Sequence, residues 1–172
     1  MSRSPLLIAV YVPTALLAFS QGLLLATLPL FADGFGVSYE LVSLAVGAAA
    51  LGTLVTDLPA GALLERIGLR PAMIGGSALV AVGTLALALT QDFPELIAYR
   101  LAAGVGTTLW SLSRHAYLSE MIPAGQRGRA ISVFGGINRI GTFGGPVLGG
   151  VVAEAAGLRA SFVLAGVLAG AA

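Results

Sequence analysis

The 172-residue sequence contains no cysteine and no lysine, and only 10% of its residues are charged. Without cysteine, the chain forms no disulfides and supports neither thiolate catalysis nor cysteine-ligated metal sites. A single histidine argues against a multi-histidine metal site and against a serine–histidine hydrolase. The formal net charge of +1 offers no basic block to nucleic acid. We therefore expect no enzymatic activity, no metal, no cofactor and no nucleic-acid partner.

Apolar residues dominate what remains, at 57% of the chain, whereas soluble domains carry about 25% charged residues. Because a spanning helix needs about 20 mostly apolar residues, the sequence predicts five membrane spans and a sixth that begins near Ser161. The sixth has too few residues to cross, which predicts that the chain is the amino-terminal part of a longer protein. The five expected spans are Leu6–Phe31, Leu41–Leu64, Ala72–Thr90, Leu96–Leu118 and Ala130–Val152.

Two segments 89 residues apart share the pattern G-x-x-x-E-x-x-G-L-R, namely Gly61–Arg70 and Gly150–Arg159. Gly52 and Gly141, each followed by threonine, align at the same offset. Each copy separates two apolar segments, so the repeating unit is about three spans, and an odd number of spans inverts the second copy in the membrane. The sequence predicts an all-α polytopic membrane protein with two inverted three-helix repeats, about 6–90 and 96–172, in one transmembrane domain, 1–172.

The arginines predict the orientation of this domain. The amino terminus and the second and fourth connectors carry five of them, whereas the first, third and fifth connectors carry only Arg159. By the positive-inside rule, the amino terminus and the even-numbered connectors are cytoplasmic, and we expect the protein in the plasma membrane. The five arginines are Arg3, Arg66, Arg70, Arg127 and Arg129.

Three motifs, at residues 61–70, 100–106 and 141–150, resemble those of the major facilitator superfamily. The second connector resembles the loop between that family's second and third helices, although Glu65 replaces the usual aspartate and Leu69 one basic position. The fourth span resembles the family's R-x-x-q-G-x-g pattern, although Ala103 replaces the usual glutamine. The fifth matches a motif associated with antiporters, chiefly drug exporters. The motifs are Gly61-x-Leu63-x-Glu65-Arg66-x-Gly68-x-Arg70, Arg100-x-x-x-Gly104-x-Gly106 and Gly141-x-x-x-Gly145-Pro146-x-x-Gly149-Gly150.

This resemblance implies the first six-helix half of a major-facilitator-type bundle, similar to drug:proton antiporters, with a truncated sixth helix and an absent carboxy-terminal half. It implies proton-coupled efflux of small amphipathic molecules by alternating access. The partners would be the lipid bilayer, a small-molecule substrate, protons and the protein's own missing half. Two alternatives stay open: an importer or uniporter of a polar or anionic solute, and a non-transporting membrane scaffold or sensor.

The second span and its connector suggest a conformational latch. Asp57, Gly61 and Glu65 recur at i, i+4 and i+8, which places them on one helix face, and Gly61 would admit a neighbouring helix closely. Alternatively, the loop charges are only solvated and set the topology. The candidate latch residues are Asp57, Gly61, Glu65, Arg66, Gly68, Arg70 and Glu120.

The fourth span carries a polar stripe that includes Arg100, Thr107 and Arg114. Such a stripe is expected to face protein or a water-filled cavity, because arginine facing lipid is costly. Arg114 either contacts substrate or reaches the membrane surface and pairs with Glu120. His115 is a candidate proton relay.

The fifth span places Arg139 about 14 Å from its expected start, near the bilayer midplane, with Asn138 beside it. We expect Arg139 to face a cavity and to meet substrate or a coupling group; the alternative is an ion pair with the missing half. The glycines at 141, 145, 149 and 150 predict tight helix packing, and Pro146 predicts a bendable helix.

Overall fold

The computed structural model describes residues 10–122 and 124–172, and it folds these into a bundle of long helices joined by short turns. Six helices and no strand occur in this part of the chain, which confirms the all-α prediction. Arg3 and the expected start of the first span at Leu6 lie outside the described residues. The helices are α1 (Val12–Asp33), α2 (Tyr39–Ile67), α3 (Leu69–Leu87), α4 (Phe93–Met121), α5 (Ala124–Ala156) and α6 (Leu158–Gly170).

Side chains satisfy the backbone at both ends of α4. The Asp92 carboxylate accepts a hydrogen bond from the Glu95 amide at 3.1 Å, and the Glu95 carboxylate accepts one from the Gln91 amide at 3.0 Å. This reciprocal arrangement occupies amide groups that have no partner inside a helix. At the other end, Arg127 donates to the Ser119 carbonyl at 2.7 Å. The ends of α4, and with them the residues along its length, are thereby fixed.

A single glycine separates the helices of each tight pair. Gly68, between α2 and α3, has φ of 83°, and Gly157, between α5 and α6, has φ of 87°. Glycine adopts this left-handed region without the steric penalty that other residues incur. The two glycines occupy equivalent positions in the sequence repeat, so the repeat extends to backbone conformation.

The packing of the helices follows the same repeat. The first helix packs against α5 and α6, and the fourth packs against α2 and α3. Exchanging the two repeats maps α1 onto α4, α2 onto α5 and α3 onto α6, and it converts the first pair of contacts into the second. The predicted bundle of two inverted three-helix repeats is confirmed, with α1 and α4 as its central helices.

Three helices are long and apolar enough to cross a membrane by length and composition alone: α1, α2 and α3. The α6 helix is apolar but shorter, and α4 and α5, although 29 and 33 residues long, fall outside this criterion. Arginines inside α4 and α5 lower their mean hydropathy. Such charges are tolerated in membrane helices whose polar faces meet protein or water, so these arginines are compatible with α4 and α5 as membrane helices.

Candidate functional site

A cavity of about 190 Å³ lies at the meeting of α1, α2, α3 and α4. Its polar lining comes from Gln21 on α1, Thr53 on α2, Thr84 on α3, and Arg100 and Thr107 on α4. Each of the four helices that meet there therefore contributes a polar side chain to the lining. Polar groups buried at membrane depth are costly and mark functional sites by default.

A second cavity, of about 100 Å³, continues from the first toward the carboxyl end of α4. Gln21 and Thr107 line both cavities, and Arg114 and Asn138 line only the second. The shared residues make the two cavities neighbours along one line between α1 and α4. We call this line the polar seam and define it by Gln21, Arg100, Thr107, Arg114 and Asn138.

The register of α4 explains why it lines the seam from end to end. Arg100, Thr107 and Arg114 are spaced by seven residues, which returns each side chain to nearly the same face after two turns. Fourteen residues of helix separate the two arginines by about 21 Å along the axis. The seam therefore carries one cation near each end, with a hydroxyl between them.

Arg114 is only 3% exposed. Its guanidinium carbon lies 4.1 Å from the centroid of the Trp110 ring and 4.0 Å from that of Phe134. The Nε and Nη1 atoms are buried and have no hydrogen-bond partner among the described residues. The pairing with Glu120 that we weighed from the sequence is not formed, because the two aromatic rings hold the guanidinium inside the bundle while Glu120 is exposed.

Arg100 is the second cation of the seam. Its Nε is also buried and has no hydrogen-bond partner in the part of the chain that the structure describes, and its side chain lines the larger cavity. All eight acidic residues of the chain lie outside the linings of both cavities, and none of them is buried. The seam is thus electropositive within the part of the bundle that the structure describes.

Hydrogen bonds between α2 and α4 support the larger cavity. The Thr53 hydroxyl donates to the Gly104 carbonyl, and the Thr108 hydroxyl donates to the Thr53 carbonyl, both at 3.2 Å. A side chain at Gly104 would run into the Ala49 carbonyl of α2. The close glycine contact brings the two backbones within reach of these threonines.

His115 does not line the seam. Its side chain is exposed, and its Nδ1 lies 2.8 Å from the Ser111 carbonyl, with the ring edge-on to Phe134. A carbonyl only accepts hydrogen bonds, so Nδ1 carries the proton in this contact. The expected proton relay by His115 remains a prediction.

Arg139 also lies away from the seam, on the exposed surface of α5. The face of α5 that packs on α1 contains Gly141, and Arg139 lies about 160° around the helix from it at ~3.6 residues per turn. The expectation that Arg139 faces a cavity is therefore not met within the described bundle, where its neighbour Asn138 lines the seam instead. Arg139 lies near the middle of α5, and its depth in the membrane stays a prediction.

The candidate latch residues are not brought together by this chain. Asp57, Gly61 and Glu65 share an exposed face of α2, and a Cβ at Gly61 would meet nothing within 4 Å. The described residues place no helix against Gly61, so the expected close neighbour stays a prediction. Arg66 and Glu120 are exposed, and Arg70 lines an open cavity of about 610 Å³ between α1, α3 and α4. The latch remains a prediction.

The glycine motif of α5 packs tightly on α1, as the sequence predicts. A Cβ added to Gly145 would lie 2.5 Å from the Gly22 Cα, and one added to Gly149 would lie 2.8 Å from the Leu23 carbonyl oxygen. Gly141 likewise abuts α1 at Ala18. Gly150 differs, because a Cβ there would meet nothing within 4 Å.

Two residues essential to the geometry of Arg114 were not among the sequence-based candidates: Trp110 and Phe134. Trp110 precedes Arg114 by four residues, which places both side chains on one helix face, so the spacing contains the signal for this contact. Phe134 lies on α5, so its contact with Arg114 could be found only from the fold. In the described residues, no group of three or more acidic or histidine side chains is placed to hold a metal ion.

Inverted three-helix repeats, apolar helices and a polar seam between the central helices define a polytopic helical membrane protein. Comparison with known sequences then gives the family. The sequence profile of the Major Facilitator Superfamily matches residues 10–172, and the chain belongs to this superfamily.

Relatives in the superfamily carry varied names. The chain is 36% identical over 109 residues to solute carrier family 2, facilitated glucose transporter member 10 of Mus musculus, covering 63% of this chain and 20% of that protein. It is 26% identical over 136 residues to riboflavin transporter RibZ of Clostridioides difficile (strain 630), covering 79% and 30%. It is 28% identical over 102 residues to citrate exporter 1 of Aspergillus niger, covering 59% and 20%. These matches span less than a third of each relative.

Proposed function

We propose that the full-length protein is a secondary transporter that moves a small molecule across a membrane by alternating access. The supporting observation is the polar seam, which places the buried guanidinium of Arg114 and the half-buried side chain of Arg100 between helices of an otherwise apolar bundle. Inverted repeats permit two mirror-related arrangements around one central path. A scaffold that uses its helices only for packing gains nothing from buried cations, which are costly to desolvate.

A second half of the transporter would cover the exposed faces of α2 and α5. Arg139 and Gly150 share one face of α5, since eleven residues make about three turns, and Asp57 and Gly61 share a face of α2. Gly61 and Gly150 are equivalent in the repeat, and both meet open space. A charge at the centre of a membrane helix costs about 2.5–3.5 kcal/mol, so a protein partner is favoured over lipid at Arg139.

The finer proposal is proton-coupled efflux of amphipathic compounds. It is supported by the α5 glycine motif, which resembles that of antiporters and packs closely on α1. The alternative, an importer or uniporter of an anionic solute, is favoured by the two cations of the seam. The named relatives include a citrate exporter and transporters of glucose and riboflavin, which is consistent with either direction.

The orientation belongs to the same proposal. Arg66 and Arg70 lie on either side of the α2–α3 connector, and Arg127 and Arg129 lie in the first two turns of α5; these positions alternate along the chain with connectors that are poor in arginine. A cytoplasmic amino terminus in the plasma membrane follows from the positive-inside rule.

Reconstitution of the full-length protein in liposomes tests the function. Candidate solutes of anionic, neutral and cationic types are supplied outside, with and without a pH gradient, and uptake is compared with empty liposomes. We expect saturable flux of at least one class, and an imposed proton gradient should drive it if coupling occurs. Flux equal to that of empty liposomes for all classes would contradict the proposal.

A further inference from the structure

We infer that Arg114 forms a subsite for a carboxylate group of the transported molecule. The inference deepens the proposed function, on which it rests, by naming the chemical class of the substrate. The positive charge, the burial and the planar shape of the guanidinium carry it, together with the composition of the cavity that this residue lines.

The charge of Arg114 is only partly compensated in its surroundings. Contact with Trp110 and Phe134 at 4.1 and 4.0 Å is a cation–π arrangement. Such contacts stabilise a cation only partly when it has lost its hydration. Nε and Nη1 have no hydrogen-bond partner among the described residues, so within this part of the chain the group retains its net charge and unsatisfied donors. An anion that accepts hydrogen bonds completes the site.

The planar guanidinium of Arg114 matches the shape of a carboxylate. The guanidinium carbon lies close to both aromatic rings, and neither ring supplies a conventional hydrogen-bond acceptor to its N–H donors. A carboxylate is itself planar and accepts two parallel hydrogen bonds from a guanidinium edge. A lysine ammonium at this position would supply charge without that fork.

The cavity beside Arg114 is small and has a neutral polar lining. The 100 Å³ cavity is smaller than the ~150 Å³ of an engineered cavity that binds benzene, so it suits a head group rather than a whole substrate. Thr14, Gln21, Ser111 and Asn138 surround it with neutral polar groups. Its lining contains no acidic residue to compete with an incoming anion.

The polar seam supplies a path to Arg114. Arg100 lines the adjoining 190 Å³ cavity, which shares Gln21 and Thr107 with the cavity of Arg114. An anion moving along the seam meets one guanidinium near each end, whereas a cation is repelled at both. The seam therefore selects against cationic compounds and favours an anionic or carboxylate-bearing substrate.

The test measures binding to the purified full-length protein in lipid nanodiscs. A ligand that binds the folded state raises the unfolding temperature with increasing concentration. Acetate, benzoate and succinate serve as carboxylate probes, mannitol as the neutral probe and choline as the cationic probe, all at equal ionic strength adjusted with sodium chloride. We expect stabilisation by one or more carboxylates and none by mannitol or choline.

Three variants assign the effect to Arg114. Arg114→Lys should weaken carboxylate binding by roughly tenfold or more, because it loses charge-assisted hydrogen bonds. Arg129→Lys, at an exposed position near the start of α5, is the matched control and should bind as the native protein does. Phe134→Leu keeps the guanidinium and should weaken binding less than Arg114→Lys. It provides a second measurement if Arg114→Lys does not fold.

The outcomes separate this inference from the proposed transport. Equal stabilisation by choline or mannitol, or unchanged carboxylate binding in Arg114→Lys, would overturn the subsite. Failure of every carboxylate to stabilise the native protein would also overturn it and would assign Arg114 to an ion pair with the rest of the protein. Carboxylate binding without flux in liposomes would support the subsite and contradict transport. Flux of a neutral solute alone would support transport and contradict the subsite.

Discussion

At the scale of single residues, burial distinguishes arginines that the sequence presents as alike. Arg114 is enclosed because Trp110 lies one turn before it and Phe134 packs from α5. Arg139 is exposed because the glycine face of α5 turns toward α1 and leaves the opposite face uncovered. The two charges therefore serve different surfaces, one inside the bundle and one on its exterior.

The exterior position of Arg139 leads to a prediction for the full-length protein. Arg139→Ala should reduce transport by roughly tenfold or more while membrane insertion is retained, because removing one member of a buried ion pair costs about 3–5 kcal/mol. Arg129→Ala, near the start of the same helix, is the control and should transport normally. Flux and the amount of inserted protein are measured together. Native transport by Arg139→Ala would show that the charge needs no partner.

At the scale of helices, packing between glycine faces sets the distances in the bundle. The face of α5 that contains Gly145 touches the backbone of α1, and the face of α2 that contains Gly52 touches the backbone of α4 at Leu101 and Gly104. Small residues let membrane helices approach closely and gain van der Waals contact. The widths of the polar seam and of its cavities depend on these two contacts.

Gly145→Ala tests the contact between α5 and α1. One methyl group at this position would lie 2.5 Å from the Gly22 Cα, and overpacking of this kind costs about 1–3 kcal/mol. We expect a lower unfolding temperature and slower transport. Gly75→Ala adds the same methyl group to α3, outside the faces that we assign to a second half, and meets nothing within 4 Å, so it should not lower stability. Equal effects of the two substitutions would contradict the packing account.

The tight turns between helices lead to a second prediction at this scale. Gly68→Ala and Gly157→Ala should each destabilise the protein by about 1 kcal/mol or more, because both positions have positive φ. Gly75→Ala is the control, since Gly75 lies inside α3 and its added methyl group meets nothing within 4 Å. Alanine there should be neutral or stabilising. The unfolding temperatures of the three variants in detergent provide the comparison.

Much of this fold could be predicted from the sequence because length and periodicity determine it. The apolar segments located every described helix. The 89-residue repeat predicted that the second group of three helices is an inverted copy of the first. The α4 stripe identified Arg100 and Arg114 because helical spacing is local. The direction of Arg139 was not predictable in this way, since it depends on which face of α5 meets α1. The Phe134 contact likewise joins residues on different helices.

At the scale of the whole molecule, the central helices α1 and α4 enclose the seam while α2 and α5 expose the faces that we assign to a second half. Helices of both repeats line the seam and its cavities: α1, α2 and α3 from the first repeat, and α4 and α5 from the second. Rocking of one half against the other would open the seam to alternate sides of the membrane. The central claim is therefore that water and substrate reach the seam from one side at a time.

State-dependent labelling of Thr107→Cys is the most direct test of this claim. Thr107 lines both cavities, the chain has no cysteine, and a thiol reacts as a thiolate, which requires water. In the full-length protein without other cysteines, impermeant maleimide should label this position from one side, with transported substrate changing the rate. Val82→Cys, 63% exposed on α3, should stay unreactive in lipid. Absence of labelling at Thr107→Cys from either side, with and without substrate, would contradict the account.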